Sequence, residues 1–123
     1  YKVENEITID MSNISTGKGA DFVFTLDLEH IGGYRIEMTG KSELSELAQI
    51  PVTVFYQSVP MAVFTFNGTG GQWRSMEKKI VLHNKYAALR VYFAQNGLDV
   101  KEIKFIFDKP VEEIPDFEAY VRA

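Results

Sequence analysis

The fold is decided by residues 67–107, NGTGGQWRSMEKKIVLHNKYAALRVYFAQNGLDVKEIKFIF. A glycine-rich turn carries Trp73, the only tryptophan of the chain, and three short segments follow it. Apolar and polar residues alternate in these segments, which is typical of strands that bury one face. The stretch therefore predicts the closing half of a β-sandwich, with an aromatic side chain and polar loop residues at one edge.

The same alternation extends toward the N-terminus. It is cleanest in residues 21–28, DFVFTLDL, where every second side chain from Phe22 to Leu28 is apolar. The other strand patterns are residues 3–9, 34–38, 52–56, 61–66, 77–82, 87–93 and 99–107. About eight strands predict an all-β fold, an antiparallel two-sheet β-sandwich of the jelly-roll kind. The Gly32-Gly33 turn further predicts that residues 21–28 and 34–38 are neighbouring antiparallel strands.

Two segments fall outside the strand pattern. Residues 42–49, SELSELAQ, could form two marginal helical turns, and a loop or an extended strand is an equally good interpretation. After Phe107 the sequence changes to DKPVEEIP, whose prolines and acidic residues are typical of a linker. We therefore predict one sandwich domain over residues 1–108 and a linker or tail over residues 109–123.

The composition excludes several functions. A net charge of −4 and a pI of about 5.2 argue against a nucleic-acid partner, because such proteins usually carry a basic surface. The absence of cysteine excludes disulfides, thiol catalysis and cysteine-based zinc sites. No apolar stretch of about 18 residues exists, so we predict no membrane span. The chain starts at Tyr1 without a signal peptide, and we expect a monomeric domain or mature fragment.

Polar loops supply the candidate ligand-binding residues. Trp73 has flexible polar neighbours, so its ring could stack on a sugar; the alternative is that it closes one end of the sandwich. Asn96 and Asp99 share one connection and could bind vicinal hydroxyls, although a tight turn explains Asn96 better. Lys18 lies in a polar loop over residues 12–20 and completes the predicted site.

Patterns for catalysis and metal binding are weak. His30 and His83 each lie beside a turn and lack partners at metal-ligand spacing, so we interpret both as solvated. Glu4 and Glu6 share one face of the predicted first strand, which would suit calcium if other oxygens approached, although a solvated face explains them better. An enzyme would need a pocket with two carboxylates or a carboxylate and a histidine, and we predict none.

Three elements, in the same order over residues 3–107, resemble carbohydrate-binding modules of families 6 and 35. KGADFVFTLDLEHIGGYRIEM resembles their G-x-G-x-x-F-x-V-x-V…G-x-Y-x-L element, TGGQWRSMEKKIVL with ALRVYF resembles T-G-x-W…V-x-L…L-R-L, and LDVKEIKF resembles N-L-D-x-I-x-F. The resemblance implies a galactose-binding-like jelly roll, usually part of a secreted or cell-surface glycoside hydrolase. Its implied partners are an oligo- or polysaccharide, bound in loops at one end, and a parent catalytic domain.

The resemblance also assigns individual residues. Trp73 matches one of two tryptophan positions, of which one stacks on sugar, and Asp99 stands at the ligand-binding asparagine. Glu4 and Glu6 match an acidic pair that binds structural calcium, whereas Lys101 replaces a further acidic ligand and argues against the ion. We therefore expect a non-catalytic carbohydrate-binding module. The alternative, favoured by the single tryptophan and the acidic tail, is a sandwich that packs on a catalytic domain or another partner without binding sugar.

Overall fold

Strands dominate the computed structural model, which describes residues 1–115. They are β1 (Lys2–Val3), β2 (Glu6–Asp10), β3 (Asp21–Leu28), β4 (Gly32–Lys41), β5 (Ile50–Tyr56), β6 (Val59–Phe66), β7 (Arg74–Leu82), β8 (Tyr86–Phe93) and β9 (Asp99–Pro110), and a 3-10 helix (Val111–Glu113) follows. One sheet has the order β1-β3-β8-β5-β6 and the other β2-β9-β4-β7. The prediction of an all-β two-sheet sandwich is confirmed. Over the described residues, no helix is long and apolar enough to cross a membrane.

The core lies between the two sheets, and the alternation seen in the sequence determines its composition. Phe24 on β3 meets Phe105 on β9, in the opposite sheet, with 5.9 Å between ring centroids. The largest fully buried side chains are Tyr34, Phe64, Phe93, Phe105, Ile9, Met11, Leu26, Leu28, Ile36, Met38, Ile50 and Leu82. Both sheets thus bury one face against the same core, as expected for a sandwich.

Two predictions about the strands were wrong. The runs at residues 21–28 and 34–38 form β3 and β4, which lie in different sheets, so they are not neighbours. The predicted strand over residues 3–9 is two strands, because the chain crosses from one sheet to the other at Glu4 and Asn5. The alternation of apolar and polar residues cannot reveal such crossings, since strands of both sheets bury every second side chain in the same core.

Residues 42–49, for which helix, loop and strand were open, form a loop. The Ser42 hydroxyl accepts a hydrogen bond from the Leu44 amide at 3.1 Å, and the Ser45 hydroxyl accepts one from the Leu47 amide at 3.1 Å. Such local bonds between serine side chains and the backbone compete with helical hydrogen bonds. The two serines therefore favour the loop.

The last strand, β9, runs to Pro110, two residues beyond the predicted domain boundary at 108. Its end pairs with β4, with Gly32 opposite Pro110 and Gly33 opposite Lys109. A Cβ at Gly32 would lie 2.3 Å from the Lys109 carbonyl oxygen, so this close pairing requires glycine. The division into a domain and a tail stays a prediction, and residues 116–123 lie outside the described part of the chain.

Candidate functional site

Four loops meet at one end of the sandwich. They connect β2 to β3, β4 to β5, β6 to β7 and β8 to β9, and they comprise residues 11–20, 42–49, 67–73 and 94–98. The loops that carry Lys18, Trp73 and Asn96, three of the predicted ligand-binding residues, are among them. Loops held by a rigid sheet are where binding residues usually lie, so this end is the candidate site.

The first and last of these loops are tied together by hydrogen bonds. The Asn96 carboxamide oxygen accepts a bond from the Lys18 amide at 2.8 Å, and the Leu98 carbonyl accepts one from the Thr16 hydroxyl at 2.6 Å. Gly97 has a φ of 101°, a backbone conformation that favours glycine. Asn96 thus uses its carboxamide oxygen to hold the two loops together.

The other two loops are joined through a buried threonine. The Thr69 hydroxyl accepts a bond from the Ser42 amide at 2.9 Å, and the Thr69 amide donates to the Ser42 carbonyl at 2.9 Å. Both side chains are buried. This clamp fixes the chain four residues before Trp73, so the position of the tryptophan is determined by the β4–β5 loop as well as by its own.

Trp73 is 44% exposed and lies outside the buried core, directly before β7. The ammonium of Lys41 lies 4.6 Å from the centroid of its ring, and that of Lys101 lies 5.9 Å from it. Both distances fall within the range of cation–π attraction. The interpretation in which Trp73 closes one end of the sandwich does not fit this exposure.

Lys101 reaches the ring because of a β-bulge. The pairing of β4 with β9 shifts register between Thr39 and Gly40, which face Glu102 and Val100, and Lys101 is left without a residue opposite. A bulge changes the direction in which the side chain of its extra residue projects. It places Lys101 beside Lys41, whose own partner in the ladder is Asp99.

A shallow depression of about 440 Å³ lies beside the tryptophan. Its lining residues are Met11, Ser12, Ile14, Thr16, Lys41, Trp73, Asp99, Val100 and Lys101. A second depression of about 470 Å³ adjoins it and shares Thr16 and Asp99. Such volumes suit a small ligand. Of the four predicted binding residues, Trp73 and Asp99 line the first depression, whereas Asn96 and Lys18 line neither.

Glu4 and Glu6 lie elsewhere and do not share a strand. Glu4 is in the bend between β1 and β2, whereas Glu6 starts β2 opposite Ile106. Lys101, the position of the missing acidic ligand, is far from Glu6. Its carbonyl accepts a hydrogen bond from the amide of Met11, which lies five residues after Glu6, or about 16 Å along the strand at ~3.3 Å per residue. Within residues 1–115 no group of three His, Asp or Glu could hold a metal. These residues do not fit the implied calcium site, so calcium stays a prediction of the resemblance alone.

Carboxylates also gather around Asp27, in a depression of about 330 Å³ near the N-terminus. It is lined by Lys2, Val3, Glu4, Asp27, Glu29 and Lys85. A hydrogen bond from Lys85 lowers the pKa of Asp27, and the same bond raises the pKa of Lys85. A glycosidase general acid needs the opposite, a raised carboxyl pKa. Neither histidine lines this depression: His30 stacks on Phe107, although its Nε2 lies 4.0 Å from Glu29, and His83 packs against Tyr56.

No protein-family model matches the chain. It is 39% identical over 113 residues to a beta-glucosidase of Ruminococcus albus, and the match covers 91% of this chain and 12% of that protein. Its structure is similar to the C-terminal family 6 carbohydrate-binding module of a laminarinase from Zobellia galactanivorans (TM-score 0.71, 11% identity, covering 84% of this chain and 100% of that one). It is also similar to a beta-glucosidase from Paenibacillus barengoltzii (TM-score 0.70, 18% identity, covering 86% and 11%).

The chain has the β-sandwich fold of carbohydrate-binding modules of families 6 and 35. A family 35 module from Clostridium thermocellum supports this, with a TM-score of 0.63 at 15% identity over 82% of this chain and 87% of that one. The resemblance stated from the sequence is thereby confirmed for the fold. The chain spans only 12% of the length of the Ruminococcus albus enzyme, so the shared part is one segment of that larger protein.

Proposed function

We propose that the chain is a non-catalytic carbohydrate-binding module that holds an oligo- or polysaccharide at the loop end. The main support is that Trp73 is exposed beside a depression lined by both apolar and polar side chains, at the end where four loops of this sandwich meet. An aromatic face gives a sugar ring a flat apolar platform, while nearby polar groups bind its hydroxyls.

Asp99 supplies the main polar contact in this proposal. It is exposed, it lines both depressions, and its carboxylate accepts hydrogen bonds from hydroxyl groups. The hydroxyls of Ser12 and Thr16 also line the first depression. The site is open to water, and a single stacked ring with a few wet hydrogen bonds gives modest affinity. Binding to a polymer with repeated sites suits such an affinity.

The biological setting follows from the relative. Because the chain is 39% identical to a segment of a beta-glucosidase, we infer that it serves as an accessory module of a glycoside hydrolase. Its partner is then a catalytic domain in the same polypeptide, and a secreted or cell-surface enzyme is the expected setting. In this role the module keeps the enzyme near its polysaccharide and performs no chemistry itself.

Replacing Trp73 by alanine is expected to weaken polysaccharide binding at least about tenfold, or ~1.4 kcal/mol, because the stacking platform is lost. Affinity gel electrophoresis with soluble β-glucans, xylans, mannans and pectins measures this loss. The matched control is Tyr86→Ala. Tyr86 is 62% exposed and also has a lysine ammonium near its ring, but it starts β8 at the opposite end.

An equal loss in both variants would remove Trp73 from the site, and mobility unchanged by every polysaccharide would contradict the proposal. In that case the second candidate gains, a sandwich that packs on a catalytic domain without binding sugar. A groove of about 340 Å³ at the far end favours this candidate. Its lining includes the apolar residues Val59, Pro60, Met61, Ile80 and Val81.

A further inference from the structure

We propose that the sandwich has a second interaction surface, at the end opposite the four loops, and that the catalytic part of the same polypeptide docks there. The surface is the docking groove, a depression of about 340 Å³ between β6 and β7, which are edge strands of the two sheets. The inference rests on the proposed function, in which such a catalytic part exists, and it concerns a different site from the sugar-binding loops. The partner surface that fits the groove presents an apolar side chain next to a carboxylate.

The strand on one side of the groove has an uncharged edge. β6 is a free edge of its sheet, and its sequence VPMAVFTF contains no charged residue. The other three edge strands of the described chain, β1, β2 and β7, all carry charged residues. Val59 and Val63 of β6 are 60% and 44% exposed, and Pro60 is the only protective residue of this strand. Natural sheets usually protect a free edge with charges, so an uncharged apolar edge is expected to be covered by a partner.

The turn between β5 and β6, at the rim of the groove, is strained and held in place. Gln57 and Ser58 have φ values of 52° and 67°, and they are the only non-glycine residues of the described chain with a positive φ. Such a conformation costs about 1–2 kcal/mol per residue, and strain of this kind clusters at functional sites. The hydroxyl of Tyr56 accepts hydrogen bonds from the amides of His83 and Asn84, both at 3.1 Å, and so ties the turn to the β7–β8 connection. Because the rim is fixed before a partner arrives, little conformational entropy is lost on docking.

The groove offers a cation to a partner. Lys79 and His83 line it, and within residues 1–115 no carboxylate does. Among the described residues, Lys79 takes part in no ion pair. Asp108 and Glu113 line an adjoining depression together with Lys79, but neither carboxylate lies within 4.0 Å of its ammonium. A partner that places a carboxylate beside Lys79 and an apolar side chain between β6 and β7 is complementary to the groove in charge and in polarity.

The course of the polypeptide favours a partner in the same chain. Ile114 and Pro115 line a depression that shares Lys79, Ile80 and Val81 with the docking groove. A domain that follows Pro115 is thus tethered beside the groove, and tethering raises the effective concentration of two partners to about the millimolar range. A contact too small to hold a free protein is then sufficient. The segment of the Ruminococcus albus beta-glucosidase that matches this chain is only 12% of that enzyme, so most of the relative lies outside the sandwich.

Docking at this end leaves the loop end free for sugar. The groove lies at the start of β6 and the end of β7, whereas residues 67–73, which carry Trp73, connect the other ends of the same two strands. The module can therefore hold a polysaccharide while it is docked, and the two surfaces can be tested separately.

Hydrogen–deuterium exchange maps the docking surface directly. Exchange is measured on the 123-residue chain alone and on the parent polypeptide with its catalytic domain. We expect residues 57–63 and 79–83 to exchange at least about tenfold more slowly in the parent, because a covered edge opens to water less often. Residues 67–73 and 94–98 should exchange at the same rate in both.

Two substitutions test the contacts. Val59→Lys gives β6 the charge that the other edges carry, and it should return the exchange of residues 57–63 in the parent to the rate of the chain alone. Lys79→Glu places a like charge against the partner carboxylate and should reduce the protection at least about threefold. The matched control is Val23→Lys: Val23 is 67% exposed on the same sheet, but β8 and β5 separate its strand from β6, so protection should be unchanged. Melting temperatures of the isolated variants show that each one folds.

Equal exchange of residues 57–63 in the chain alone and in the parent would overturn this inference. Protection that Val59→Lys and Lys79→Glu both leave unchanged would also overturn it, as would protection confined to residues 67–73 and 94–98. Protection of residues 57–63 in a parent that binds no polysaccharide would support docking and contradict the carbohydrate-binding function. A parent without a catalytic domain would contradict both.

Discussion

Replacing Gly68 by alanine should destabilise the chain by about 3 kcal/mol or more, a large fraction of the stability of a small domain. A Cβ at this position would lie 1.9 Å from the Leu44 carbonyl oxygen and 2.5 Å from that of Ser45. Both atoms belong to the backbone, so no side chain can rotate away. The two loops must separate, which breaks the hydrogen bond from the Gly68 amide to Ser45 and displaces Trp73.

Thermal unfolding followed by circular dichroism measures this effect. The matched control is Gly70→Ala in the same loop, where a Cβ would meet no atom within 4 Å. Gly70 has a φ of 63°, so alanine there costs only the strain of a left-handed conformation, ~1–2 kcal/mol. Similar melting temperatures for the two variants would contradict the close packing of the β4–β5 and β6–β7 loops.

Replacing Phe105 by alanine should lower the free energy of unfolding by about 3–5 kcal/mol, the range measured for large buried aromatics. The side chain of Phe105 is 0% exposed and packs against Phe24 of the opposite sheet. Removing its ring leaves a cavity between the two sheets that the strands cannot close without breaking their ladders. Urea denaturation gives the change in free energy.

Ile106→Ala serves as the control for Phe105, because the next residue of β9 faces the other side of the sheet and is only half-buried. We expect that substitution to cost less than about 1.5 kcal/mol. If the two variants lost equal stability, the assignment of alternate β9 side chains to the core and to the outer face would be wrong.

The sandwich could be predicted from the sequence because the alternation of buried and exposed side chains is visible within each single strand. Phe24, Leu26 and Leu28 alternate with exposed or half-buried residues in the chain and in the structure alike. Strand order is not local: β3 and β4 are joined by a short link but lie in different sheets. Only the pairing of distant segments decides this order, and the apolar pattern is the same for every pairing.

The residues of the candidate site, too, could be predicted only where the signal is local in the sequence. Trp73 and Asp99 could be named from their turns, and both line one depression. Lys41 could not be named, because it meets the tryptophan only through the pairing of β4 with β7, in which Gly40 lies opposite Arg74. Lys101 was noted as a missing calcium ligand, and its proximity to the ring depends on a β-bulge that leaves no trace in the sequence.

The most direct test of carbohydrate binding at the loop end is an amide NMR titration of the chain with cellotetraose, xylotetraose, laminaritetraose and glucuronic-acid-bearing xylotetraose. We predict shifts in the indole signal of Trp73 and in the amides of residues 11–20, 42–49, 67–73 and 94–99. Residues 57–58 and 83–85, at the other end of the strands, should not respond. Shifts confined to that far end, or no shift with any of the four sugars, would contradict the central claim that the loop end binds carbohydrate.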